Sequence, residues 1–539
     1  MIGERIAAVE EPGGLASRIA ARTRRIDADG RIVSPGFVDV HTHYDAQLFW
    51  DRMLTISPWH GVTSVVVGNC GFGIAPTRPE HRDLILRTLE NVEGMSLDAL
   101  RAGVGTDWPF ESFPEFLDAV ENRGTAINVA ALIGHTPLRL YVMGEDATER
   151  EATAEEVERM RRLVAEALDA GALGFATSKA PTHVGYAGKP VPSRLANTEE
   201  IKEIAGALRE SGRGMMQATI GIGLLFDELA DIASSLGITV SWTALLADLF
   251  GPDGHRDVLA QHAAFQADGI RVVPQVTGRP LMFEYQWKAP FPFESLDLFQ
   301  QVSAADLEGK KRIYADPAFR AEFAAGSGGA LIGGRWEDTI IANVPGREEL
   351  NERNLTEVAA ELGVHPAELA LDLGLESGLE ARFRVPVANR TEETIAELLT
   401  HPATVLGLSD AGAHASQLCD ACFATYLLAY WTREKGVLSL EQAVRLLTSR
   451  AAEVFGITDR GRIQSGMAAD LVVFDENTIG CSTLERVKDQ PAGADRLISR
   501  AAGIDAVIVN GVILRENNRD MLDPDGPLPG RVLRGGCAT

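Results

Sequence analysis

Eight short, β-branched, glycine-bounded runs recur along the chain with amphipathic segments between them, and this alternation constrains the fold more than any other feature. The runs are 32–43, 63–71, 127–135, 171–178, 212–221, 237–246, 269–277 and 403–412. Parallel strands need long crossover connections, usually helices, so the pattern predicts a parallel sheet with helices on its outer face. Eight such strands close into a barrel, and the fold class expected is α/β, a distorted (β/α)8 TIM barrel. The crossovers carry their own signals. Thr153 and Glu156 form a capping box, and Val157, Met160, Leu163, Val164 and Leu168 follow at helical spacing on one face.

Two regions interrupt the alternation. Residues 280–402, between the seventh and eighth runs, are far longer than one crossover needs and are expected to form a lid or small subdomain. Residues 461–539 contain short strand patterns such as GRIQSGMAADLVVFD and DAVIVNGVILREN, and residues 1–31 read similarly. The domain expectation is therefore a barrel over 32–460 and a small composite β-domain built from 1–31 and 461–539. A chain of 539 residues is long enough for both.

Composition narrows the function classes. With 51 basic and 76 acidic residues the net charge is −25, a field that repels phosphate backbones and anionic lipids. Nucleic acid and membrane are not expected partners; a small molecule is. No apolar stretch approaches the roughly 20 residues of a membrane span, and the N-terminus lacks a basic-then-apolar signal pattern. Cys70, Cys419, Cys422, Cys481 and Cys537 are too sparse for a disulfide framework. A cytoplasmic protein is expected, its state as a homo-oligomer or monomer left open.

In a (β/α)8 barrel the chemistry sits where strands end at the C-terminal face. The first run ends in His41-Thr42-His43, two imidazoles two residues apart on a strand and able to share one metal ion. Cys70 ends the second run within GNCGFG, and its thiolate would be a soft zinc ligand; a buried structural cysteine is the other reading. Asp410 ends the eighth run in LSDAG, where it can touch a metal and take a proton from its water, or simply form a turn.

Together, HTHYDA after SPGFVDV, GNCGFGIAP, LIGHTPLR, GALGF, GLSDAG, GRIQSGMAADLVVFD and the tail PLPGRVLRG resemble the metal-dependent amidohydrolase superfamily, specifically its D-aminoacylase (N-acyl-D-amino-acid deacylase) branch. The resemblance spans nearly the whole chain in order. It implies a distorted barrel with a composite β-domain, zinc, and hydrolysis of an amide or related C–N bond. It also implies that His41, His43 and Asp410 form one metal position, with the GNCG cysteine forming a tighter one beside histidines of the fifth and sixth strands. Those histidines are missing here. The fifth run reads MMQAT around Gln217 and the sixth VSWTA around Trp242, and neither amide nor indole is a good zinc ligand. One zinc ion is therefore expected rather than two, with Gln217 and Trp242 as substrate contacts.

The remaining candidates are Lys179, a metal ligand if carbamylated and otherwise a solvated or substrate-facing lysine, and His135, which the resemblance places against substrate or an oxyanion. His183 and His414 are candidates beside them. The branch's carboxylate-gripping lysine is replaced by Ala244, and no arginine follows Asp410 until Arg433. Arg194 or Arg279 is the expected substitute. The leading expectation is a hydrolase in which Asp410 serves a metal-activated water; the alternative is a metal-poor homologue that binds a small ligand without hydrolysing it.

Overall fold

The computed structural model describes residues 1–11, 13–15, 23–251, 253–294, 296–326 and 335–538. Each of the eight runs contributes a strand to one parallel sheet: β1 (Phe37–Asp39), β2 (Val62–Val67), β3 (Asn128–Gly134), β4 (Gly174–Ser178), β5 (Met215–Thr219), β6 (Val240–Thr243), β7 (Val272–Val276) and β8 (Val405–Leu406). They follow one another in space from β8 back to β1. The curl closes just beyond the strands, where Thr42 bridges Ala411 in parallel and the His43 amide donates to the Ala411 carbonyl at 2.8 Å. Closure therefore brings the HTH segment and the LSDAG segment side by side.

Val38, Val66, Leu132, Ala176, Met215, Val273 and Val405 pack together, and Leu533 of the C-terminal tail joins them fully buried. The tail is drawn in by a hydrogen bond from the Val129 amide to the Arg531 carbonyl at 2.9 Å.

The first run divides between two sheets. Ile32–Pro35 pairs antiparallel with Leu471–Phe474, in a five-stranded sheet continued by Ile504–Val509, Val512–Glu516 and Arg519–Asp520. Only Phe37 onward joins the barrel. Gly36 is the junction, and a Cβ there would sit 2.1 Å from Thr63 Oγ1, so only glycine lets the chain pass between the sheets.

Between β7 and β8, Leu281–Gln286, Ile340–Asn343, Arg353–Asn354 and Arg382–Ala388 form a four-stranded antiparallel sheet. It has its own aromatic core, in which Trp287, Phe293, Phe299 and Phe323 are fully buried. Buried Glu284 ties this unit down. It accepts from Arg384 at 2.8 Å and from Arg486, in the C-terminal region, at 2.6 Å, and Arg486 also donates to the Ser416 carbonyl at 2.9 Å. No helix among the described residues is long and apolar enough to cross a membrane.

Candidate metal centre

His41 and His43 sit just past β1; the His41 ring is fixed through Nδ1, and the His43 ring has a carboxyl group facing its Nδ1. His41 Nδ1 lies 2.8 Å from Gln275 Oε1, and His43 Nδ1 lies 3.4 Å from Glu93 Oε1. Both partners are acceptors, the Gln275 amide nitrogen being committed to Ser241 Oγ at 3.2 Å. His41 Nδ1 therefore carries the hydrogen, and the Nε2 atoms of both rings face a common point.

The other donors converge there. His41 Nε2 is 3.4 Å from Cys70 Sγ and 3.4 Å from Asp410 Oδ1, which is 3.6 Å from His43 Nε2. The donor atoms of His41, His43 and Cys70 all lie within 4.8 Å of one another. Ligands bonded to a tetrahedral zinc at 2.0–2.3 Å are spaced about 3.3–3.8 Å apart, so the 3.4 Å between His41 Nε2 and Cys70 Sγ is the spacing of two zinc ligands, while Asp410 stands against the two imidazoles outside the three-donor group. Two imidazoles and a thiol at this spacing, with a carboxylate against the imidazoles and no lysine or arginine among them, fit a divalent cation.

Local backbone places the last two donors. Cys70 follows β2 in a turn whose Gly68, at φ 82°, could not carry a Cβ without coming 2.0 Å from the Leu132 carbonyl oxygen. Cys70 itself (φ 56°) and Asp410 (φ 49°) both lie in the left-handed region, which costs on the order of 1–2 kcal/mol per residue and concentrates at functional sites. The Cys70 turn is held by its amide donating to Gln217 Oε1 at 2.7 Å. The Asp410 turn is held by Ser409, whose hydroxyl lies 2.6 Å from Asp39 Oδ2.

Charge follows from this crowding. Burial alone would raise the Cys70 thiol, but His41 and His43 beside it bring its pKa down to about 6. Burial also opposes ionisation of Asp410, yet His43 and His41 hold it well below the usual carboxylate range. Glu93 is lifted to about 8 by burial, against the pull of His43.

The other expected residues divide. His183 lies close by, its Nδ1 2.6 Å from Ser178 Oγ and its ring against Phe72. His414 is half-buried four residues after Asp410, its amide donating to the Glu93 carbonyl at 2.5 Å and its ring edge against Phe283. Gln217 points inward as a brace for Cys70, with its nitrogen donating to Thr243 Oγ1 at 3.3 Å.

Several residues have settings different from those expected. His135 is fully buried with both ring nitrogens taken, by Thr177 Oγ1 at 2.8 Å and Glu200 Oε1 at 3.1 Å, which leaves none for substrate. Trp242 faces the outer helices, its indole donating to His262 Nε2 at 2.8 Å. Lys179 donates to the carbonyls of Arg194 at 2.5 Å and Ala196 at 2.6 Å; a carbamate, presenting oxygens, would not suit those two acceptors. Arg279 is paired with Asp420 at 2.8 Å. Conversely, Glu93, Gln275, Asp39 and Ser409 build the centre without having been expected to.

A model of the amidohydrolase family matches residues 24–239 and 336–515. The chain belongs to that family. This amidohydrolase is 31% identical over 512 residues to D-aminoacylase of Alcaligenes xylosoxydans xylosoxydans, covering 94% of this chain and 88% of that one. Its structure is similar to the crystal structure of a D-aminoacylase (28% identity, TM-score 0.65, 98% of this chain and 94% of that one). It is also similar to N-acyl-D-glutamate deacylase from Bordetella bronchiseptica complexed with zinc and a phosphonate inhibitor (26% identity, TM-score 0.61, 99% and 94%). The amidohydrolase is a D-aminoacylase-like hydrolase acting on carbon–nitrogen bonds other than peptide bonds.

Proposed function

We propose that this amidohydrolase hydrolyses the amide of a small N-acyl amino acid-like substrate at a single zinc centre. The observation that carries the reading is the cluster of His41, His43 and Cys70 with Asp410 Oδ1 against both Nε2 atoms, the His41 ring hydrogen-bonded from behind by Gln275 and His43 facing Glu93. One ion is proposed because His41, His43 and Cys70 form the one such cluster among the described residues. When bound, zinc supplies a Lewis acid and lowers the pKa of water toward about 7.

The protein's own residues supply the rest. His41, His43 and Cys70 hold the cation, and Gln275 and Glu93 keep the two rings oriented. Asp410, placed against both Nε2 atoms and held ionised, accepts the proton of the attacking water and returns it to the leaving nitrogen. Its left-handed turn, braced by Ser409 on Asp39, keeps the carboxylate from swinging away. The substrate class is supported by the relatives' activities, and unpaired cysteines suit a cytoplasmic setting.

The test is turnover on a panel of N-acetyl-D- and L-amino acids by the zinc-loaded protein and by Asp410→Asn. The reading expects amide hydrolysis that falls by about 10²–10⁴-fold in the variant, the range of positioned acid–base catalysis, with zinc retained. A variant as active as the parent would overturn it.

A further inference from the structure

Three of the five free cysteines gather where the barrel meets the C-terminal β-region, and the proposed hydrolysis uses none of them. Cys419 and Cys422 bracket a Cys-Asp-Ala-Cys segment that leads into the helical segment 423–434, while Cys481 lies on the short strand Gly480–Cys481, paired antiparallel with Ala501–Ala502. That strand packs on the helical segment: Arg433 donates to the Ile479 carbonyl at 2.6 Å, and a Cβ on Gly480 would lie 3.7 Å from Ala429 Cβ. Cys422 is the middle thiol. Its Sγ donates to the Cys419 carbonyl at 3.5 Å, and it is in hydrogen-bonding contact with the Cys481 thiol.

The surroundings of the sulfurs decide what they can do. The Arg279 guanidinium, tied to Asp420 at 2.8 Å and lying 4.6 Å over the Tyr426 ring, has Nη1 4.0 Å from Cys481 Sγ. A fixed cation beside thiols repels a metal ion and favours a thiolate, and among the described residues these three sulfurs do not close into a metal-sized group. Access separates them. Cys419 and Cys422 are buried, Cys422 completely, whereas Cys481 is half-buried, so an oxidant arriving from solvent meets Cys481 first, with Cys422 behind it. The hydrogen bond with Cys419 pushes the Cys422 thiol up to about 12, and contact with Cys422 raises that of Cys481 as well. The pair therefore rests as two thiols and reacts through the thiolate fraction that Arg279 sustains.

We propose that Cys481 and Cys422 are a redox-modification site of this amidohydrolase, oxidised by a hydroperoxide to a reversible disulfide that staples the C-terminal β-region onto the helical segment following the Asp410 loop. In the first step the Cys481 sulfur attacks the peroxide: an S–O bond forms, the O–O bond breaks, and the departing oxygen takes up the proton lost by Cys481, leaving a sulfenic acid and an alcohol or water. In the second, the Cys422 sulfur attacks the Cys481 sulfur: the S–S bond forms, the S–O bond breaks, and the hydroxyl leaves with the Cys422 proton as water. Each sulfur gives up one electron, and the peroxide oxygens take both. A dithiol reverses the bond by exchange.

The experiment treats the zinc-loaded full chain with hydrogen peroxide, quenches it with catalase, counts maleimide-reactive thiols by mass after denaturation, and maps the non-reduced peptides. The proposal expects the count to fall by two from the five of the reduced chain, a cross-linked peptide joining Cys422 to Cys481, and recovery of both thiols with dithiothreitol. Cys481→Ser and Cys422→Ser should each abolish the cross-link. The peptide map of the parent carries the assignment by itself, so a variant that fails to fold leaves the test decided, and it does so whether or not Cys70 holds zinc. A cross-link between Cys419 and Cys422, Cys481 halted at a sulfinic acid with Cys422 untouched, or both thiols intact at peroxide levels that oxidise free cysteine overturns the proposal.

Discussion

Replacing Gln275 with methionine removes the acceptor that fixes His41 while keeping the volume of a buried side chain. Gln275 and His41 are both fully buried, and the 2.8 Å contact between Oε1 and Nδ1 is the shortest brace on either metal-facing ring. With no acceptor there, the zinc-holding tautomer must leave an Nδ1–H unsatisfied in a dry site, at a cost of about 1–3 kcal/mol. The metal-free protein escapes this cost by moving the hydrogen to Nε2, where Cys70 and Asp410 lie 3.4 Å away. The penalty therefore falls on the zinc-bound state alone. At 1.4 kcal/mol per tenfold, zinc affinity should drop about 5- to 150-fold, in line with the loss typical of residues that orient metal-bound histidines. Competition against a chromophoric chelator measures it, and Gln275→Glu, which retains an acceptor, should keep most of the affinity. An unchanged dissociation constant in Gln275→Met, with the fold intact by melting, would refute the assignment of the ring and its tautomer.

Glu200→Gln should destabilise the fold by about 3–5 kcal/mol, read as a fall in urea midpoint, because it strands the fully buried Arg139 guanidinium; zinc content should not change, since His135 and Glu200 stand apart from the donors. His60 supplies a pH dependence. It is fully buried, and desolvation lowers its pKa to about 4 while its ring bonds Thr425 Oγ1 and the Ser499 carbonyl. The unfolded chain takes up that proton near pH 6.5 and the fold resists it, so stability is full above pH 6.5 and declines as pH falls toward 4, by about 3 kcal/mol from this group. Denaturation from pH 7 to 4.5 should show that decline, and His60→Asn should remove this share of it.

The barrel was legible because its strands are buried on both faces and its crossovers amphipathic, two patterns that survive in one dimension. The split of the first run was not, since IVSPGFVD reads as one strand and only the crowding of Gly36 against Thr63 shows where the chain changes sheets. His41, His43, Cys70 and Asp410 stood out as polar residues at the ends of apolar runs. Their supports did not, because each belongs to a different element: Gln275 to β7, Glu93 to the end of the helix Arg82–Glu93, Ser409 to the turn after β8. Glu93 did leave a signal. A carboxylate in the last turn of a helix opposes the macrodipole, and it continues the face of Leu86 and Leu89, buried like them. Trp242 and His135 misled for a related reason. Position near a strand end suggests the barrel mouth, but strand alternation sends Trp242 to the outer layer, and Glu200, distant in sequence, occupies His135.

Elemental analysis of the full chain purified without chelator and supplied with zinc, set beside His41→Ala and Cys70→Ala, tests the metal centre most directly. The account predicts about one zinc per chain in the parent and its loss, or a large fall in affinity, in both variants. A parent that holds no zinc, or variants that hold it as tightly as the parent, would contradict it.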